Sequence, residues 1–229
     1  MNLKWVLLLL PLLFLGVAEI EFETLAPKVA DLPSERIAYD FRADSLVYDS
    51  LKRAFGKHKE LPKGYELAAL RALSHYPELA EVPVAFVYRK NPVAHSSRPR
   101  NGSLFLGKRH RKYLVIISTD LKPVLEPGKL GNLTYNAQIG VLGHELAHTV
   151  DYLQRGFFNI IGLGIRYATN KKLVKRWERL TDKRAIGHNL GYQLLAWSRE
   201  VHSVLEAAGR GQNYLTPAEI ELEMQSRRL

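Results

Sequence analysis

The chain has 229 residues, with 33 Lys and Arg against 23 Asp and Glu, a formal net charge of +10, and no cysteine. That length is enough for one domain with a sizeable core. The missing cysteine excludes the small disulfide-stapled secreted class, and it leaves His and carboxylate side chains as the means of holding any metal.

The N-terminus carries Lys4 and then an apolar run at 6–18 that closes on Gly16, Val17 and Ala18. A positive start, a short apolar stretch and a small-x-small ending read as a secretory signal peptide over 1–18, cleaved after Ala18. The run is shorter than the roughly 20 residues that span a bilayer, and Pro11 interrupts it. Left uncleaved, it would act as an N-terminal membrane anchor. The expected location is therefore exported, either periplasmic or extracellular. Without a cysteine in this segment, a lipoprotein anchor there is excluded. Residues 19–40, with Pro27 and Pro33, read as an extended leader into a domain over 41–229.

Helical periodicity runs over 45–55 and 65–75, with Leu46, Tyr48, Leu51, Leu67, Leu70 and Leu73 as candidate core positions. Short strands are expected at 82–88 and 104–106 and a stronger one at 113–119, with turns at Asn101-Gly102 and 107–112. Basic residues cluster at Arg98, Arg100 and 108–112, and again at Lys171, Lys172, Lys175 and Arg176. In an exported protein such clusters point to an anionic membrane surface or an acidic cell-wall polymer. Solvated loops and helix faces account for them equally well, and no nucleic-acid-binding motif is present.

The next helix contains His144-Glu145-Leu146-Ala147-His148. Histidines four residues apart on a helix differ by about 40° around its axis, so both imidazoles leave one face and can share a Zn²⁺ ion. Glu145 beside them has the position of a general base for metal-assisted hydrolysis. Ile139, Leu142, Leu146, Val150 and Leu153 form an apolar stripe on the opposite side. A third ligand is needed, and two candidates present themselves. Glu178 lies on a later helix with Asp182 four residues on, where Asp182 can orient a ligand histidine. Asp151, three residues after His148, could reach the ion or a histidine that binds it.

Between them, Phe157, Phe158, Ile160, Ile161, Leu163 and Ile165 read as core, with a hydrophobic pocket or a membrane-dipping segment as the other readings. The last long helix is expected from 172 to about 205, bent near Gly187 or Gly191, with Leu194, Leu195 and Trp197 on its buried side. His188, Tyr192 and Tyr152 are the nearest groups able to stabilise an oxyanion, each more often a packing or surface residue.

His144, Glu145 and His148, followed by Glu178 and Asp182, resemble the gluzincin zinc metallopeptidases, which join an H-E-x-x-H helix to a later E-x-x-x-D helix. The stretch 136–152 is also similar to exported bacterial metallopeptidase-like proteins of unassigned role. The resemblance implies His144, His148 and Glu178 as zinc ligands, Glu145 as catalytic base and Asp182 as the histidine orienter. The metzincin continuation would require Gly and His where Asp151 and Gln154 stand. In such enzymes an edge strand pairs with an extended substrate, a role the resemblance gives to 113–119 or its partner strand, although the simpler reading of 113–119 is a central core strand.

The expected fold is α+β and helix-rich, a zincin-like metallopeptidase with a small sheet beside its active-site helix. The expected function is zinc-dependent hydrolysis of peptide or protein substrates. The alternatives are a cell-wall peptide amidase or endopeptidase, and a non-catalytic zinc-containing envelope protein.

Overall fold

The computed structural model of the protein describes residues 33–107 and 110–228. The segment expected as a signal peptide, 1–18, and most of the expected leader lie outside the described residues. Residues 33–40 run without helix over the domain. The Tyr39 backbone exchanges hydrogen bonds with the Asn136 side chain, and Gln193 Nε2 donates to the Arg36 carbonyl. Asp40 then caps α1 (Phe41–Leu46) by accepting from the Ala43 N–H.

The architecture is α+β and dominated by helices. Val47 separates α1 from α2 (Tyr48–Phe55), where periodicity alone predicts one continuous helix. The break turns Leu46 out of the core, and it is 89 % exposed. Its place facing inward is taken by Asp44, whose carboxylate is held by Arg71 and by the Tyr135 hydroxyl. Leu51, Leu70 and Leu73 are buried as expected, whereas Tyr48 and Leu67 are half-buried. α3 (Glu66–Leu73) supplies the second of these layers.

Among the described residues, four strands form one sheet in the order β1-β2-β4-β3. β1 (Lys59–Glu60) and β2 (Val84–Arg89) are parallel to each other, and β2 is parallel to β4 (Tyr113–Ser118). β4 is buried at every position and sits in the interior of the sheet. Its antiparallel partner β3 (His95–Pro99) forms the edge, with Ser97 opposite Val115. β3 is polar in sequence and becomes a strand through its pairing with β4. Residues 104–106, expected as a strand, instead form a turn after the 3-10 turn Asn101–Ser103, and Phe105 is 82 % exposed.

α4 (Tyr135–Gln154) is the axis of the domain, started by Thr134, whose side chain accepts from the Ala137 N–H. Ile139, Leu142, Leu146 and Val150 are buried on one side, with Leu153 half-buried. α5 (Phe157–Thr169) buries Ile160 and Leu163 but leaves Phe158, Ile161 and Ile165 outside, so the apolar run is core on one face only. α6 (Lys171–Ala185) continues into the turn Ile186–Leu190, where Asn189 adopts a positive φ of 61°, and α7 (Gly191–Ala207) follows. Asn is among the residues that tolerate this left-handed conformation. Thus the expected long helix breaks between Gly187 and Gly191, with Leu194, Leu195 and Trp197 buried beyond the break.

That break lets one stretch of chain touch α4 on two sides. α6 runs past the histidines, while α7 packs so closely that a Cβ at Gly140 would lie 2.1 Å from the Gln193 carbonyl oxygen. α8 (Pro217–Ser226), begun by a capping box between Thr216 and Glu219, closes against α7. Among the described residues, no helix is long and apolar enough to cross a membrane.

Candidate metal centre

His144 and His148 leave the same face of α4 with their rings 4.7 Å apart and nearly perpendicular. α6 faces them with Glu178, Thr181 and Asp182, all buried, as spacings of three and four on a helix require. Asp182 accepts the His144 Nδ1–H at 2.8 Å, and its other oxygen accepts the Leu215 N–H at 2.8 Å. Thr181 donates its hydroxyl hydrogen to the Trp177 carbonyl, so its oxygen is free to accept from His148 Nδ1 at 3.1 Å. Both imidazoles are therefore oriented with Nδ1 as donor, so that each Nε2 faces Glu178 with either a lone pair for a cation or a proton for the carboxylate.

Those two Nε2 atoms lie 3.2 and 3.1 Å from the same Glu178 oxygen, Oε2. The remaining Glu178 oxygen accepts the Tyr167 hydroxyl at 3.0 Å. With the hydrogens committed to Asp182 and Thr181, three electron-pair donors meet in a buried space, which is unfavourable unless a cation or added protons sit between them. The buried group His144, His148 and Glu178, with ligand atoms all within 4.8 Å of one another, could hold a metal ion.

The charges follow from the same contacts. Burial by itself would raise the Glu178 pKa, but His148 and His144 beside it outweigh that and hold it well below the usual carboxylate range. Burial likewise opposes a charge on His144, while its hydrogen bonds to Asp182 and Glu178 raise its pKa above the ordinary histidine value. Burial raises the Glu145 pKa.

Asp151 does not join this group. Its carboxylate accepts from Arg155 at 2.5 and 3.0 Å, from Arg184 at 3.3 Å and from the Trp177 indole at 3.2 Å. Trp177 packs in turn against the His148 ring, with centroids 4.5 Å apart. The aspartate thus reaches the site through a tryptophan.

Glu145 lies close enough to His148, His144 and Glu178 to feel their charges. With His144 it lines a recess walled by His95, Leu125, Val201 and Tyr214, with Arg210 among its lining residues. Among the described residues, Glu145 Oε2 and His95 Nε2 are buried atoms without a hydrogen-bond partner. Burial and the neighbouring His144 push the His95 pKa down to about 4, so its imidazole is neutral. His95 opens the edge strand β3, which is tied to α4 by a 2.8 Å hydrogen bond between Ser97 and Thr149 hydroxyls.

None of the three expected oxyanion candidates lines the recess. His188 stacks on Tyr76 at 4.4 Å and contacts Glu78, Tyr192 bonds Arg228, and Tyr152 packs edge-on to Trp177. Sequence reading missed Thr181, Tyr167 and His95. Thr181 had a usable signal, because it stands three residues after Glu178 and one before Asp182 on the same helix face. Tyr167 and His95 had none, since only the packing of α5 and β3 brings them near.

Comparison with family models, with curated proteins and with solved structures returns no match to this chain.

Proposed function

We propose that the protein is an exported zinc-dependent metallopeptidase of the gluzincin type, with a zincin-like fold, that hydrolyses peptide bonds. The observation that carries this reading is the meeting of two imidazole nitrogens and one carboxylate oxygen beside a buried glutamate with an unpartnered oxygen. Two imidazoles and a carboxylate suit zinc and match the ligand count of catalytic rather than structural sites. When bound, zinc supplies Lewis acidity, polarising a carbonyl and making water more acidic.

The remaining work belongs to the chain. His144, His148 and Glu178 hold the ion, and Asp182, Thr181 and Tyr167 fix their orientation. Glu145 takes the proton of the attacking water and returns it to the leaving amine nitrogen. His95, neutral and open at Nε2, is placed in the same recess to donate to the carbonyl oxygen as negative charge grows there. β3 is the sheet edge beside the site, and an extended substrate can add to it as a further strand. The apolar walls from Leu125 and Val201 favour an apolar substrate side chain. Export rests on the sequence of residues 1–18.

The test is digestion of a peptide library by purified protein, with and without a zinc chelator. The expected result is cleavage abolished by the chelator and restored by added zinc. Protein that carries no zinc and takes none up on reconstitution would overturn the metal assignment. Zinc-loaded protein that cleaves nothing would favour a binding or assembly role instead.

A further inference from the structure

α5 is apolar on both faces. Ile160 and Leu163 enter the core, while Phe158, Ile161 and Ile165, on the opposite side of the same helix, are 80 %, 43 % and 56 % exposed. A helix hydrophobic all round is ordinarily covered on all sides. The outward stripe continues beyond α5. Phe158 touches Phe157 with ring centroids 5.3 Å apart, and Phe157 touches Phe105 at 5.2 Å. Leu106, next to Phe105, is also exposed. A contiguous exposed surface of this kind marks an interaction site.

The segments that carry the stripe bear charge of one sign. No Asp or Glu occurs between Asp151 and Glu178, the stretch that contains α5, or between Glu81 and Asp120, the stretch that contains Phe105. Arg166 flanks the stripe, and Lys171, Lys172, Lys175 and Arg176 follow directly on the exposed side of α6. The first turn of α6 contains no acidic residue to offset the positive end of the helix dipole. An apolar stripe rimmed by cations matches a surface that is hydrocarbon inside and anionic at its face.

We propose that α5 and the loop bearing Phe105 form a docking surface for an anionic lipid bilayer, with Phe158, Ile161 and Ile165 entering the acyl boundary and the α6 cations at the headgroups. A second copy of the chain is a poor occupant, because it would bring two cationic rims together. An acidic polymer would use the cations and leave the aromatic stripe uncovered. α5 joins α4 to α6, so docking here would hold the metal centre close to the membrane. The inference does not depend on that centre holding zinc.

The chain has no cysteine, so Ile161→Cys in the full chain takes a single environment-sensitive fluorophore, with Leu222→Cys on α8 as the control. The probe is vesicles of phosphatidylcholine with phosphatidylglycerol, compared with phosphatidylcholine alone. Because the label reports its own depth, retention on the vesicle by residues 6–18 does not confound it. The label at 161 is expected to shift to the blue and to be quenched by brominated acyl chains on the anionic vesicles, while the label at 222 stays in water. Replacing Lys171, Lys172 and Lys175 by Gln should weaken this insertion about fivefold per charge. A label at 161 that stays in water on vesicle-bound protein would overturn the proposal. So would a shift that grows with protein concentration in the absence of lipid, which would assign the stripe to self-association.

Discussion

His144 and Asp182 are joined by a 2.8 Å hydrogen bond between α4 and α6, and Asp182 is itself anchored by the Leu215 N–H. One carboxylate therefore sets the tautomer of a candidate ligand and ties it to the segment leading into α8. Removing it leaves the ligand atoms in place but free to turn. Asp182→Ala should bind zinc roughly ten- to a hundredfold more weakly, as losses behind a ligand do. Competition with a chromophoric chelator measures this, and an unchanged affinity would deny the orienting role.

The two acidic candidates for the third ligand should separate by what their loss damages. Glu178→Ala removes a ligand oxygen, so tight zinc retention should disappear. Asp151→Ala instead removes the buried carboxylate that Arg155, Arg184 and the Trp177 indole share, at a cost of about 3 kcal/mol in unfolding free energy with zinc still bound. Metal analysis alongside urea unfolding distinguishes them. Zinc lost from Asp151→Ala and kept by Glu178→Ala would reverse the assignment.

Glu145→Gln preserves volume at a buried position but cannot accept a proton from water. The variant is expected to fold and to bind zinc as the parent does, while hydrolysis falls by about a hundred- to ten-thousandfold. Steady-state kinetics on any peptide cleaved only in the zinc-bound state supply the check. Undiminished turnover would exclude Glu145 as the base.

His75 should make stability depend on pH. Its Nδ1 contacts the His188 carbonyl at 2.7 Å and its Nε2 the Tyr39 hydroxyl at 2.7 Å, an arrangement that suits the neutral ring. Burial lowers its pKa to about 4 from an ordinary 6.5. Between those values the unfolded chain takes up a proton that the folded chain refuses. Stability is therefore whole above about pH 6.5 and falls as pH drops towards 4, by about 3 kcal/mol from this residue. Urea titrations across that window should show a shallower slope for His75→Gln than for the parent. Equal slopes would mean that His75 titrates normally in the folded protein.

What the sequence determined by itself is what helix geometry makes local. His144 with His148, and Glu178 with Asp182, share faces because they stand four apart, whatever the rest of the chain does. The apolar stripe of α4 was legible for the same reason, whereas the bend expected near Gly187 or Gly191 falls between them, at His188 and Asn189. Tertiary structure decided the rest. Residues 95–99 have no apolar alternation and become an edge strand only because β4 offers a partner, while 104–106 looked more strand-like and formed a turn. Leu46 faces water because Val47 interrupts the helix, and Asp44 can face inward only because Arg71 and Tyr135 meet it there. The meeting of Glu178 with both Nε2 atoms, the tethering of Tyr167 and the placing of His95 beside Glu145 depend on packing between segments distant in the chain. No spacing within one segment encodes such packing. Side-chain periodicity reports which face of an element is apolar, but only its neighbours determine which face is covered, as α5 demonstrates with one apolar face buried and the other open.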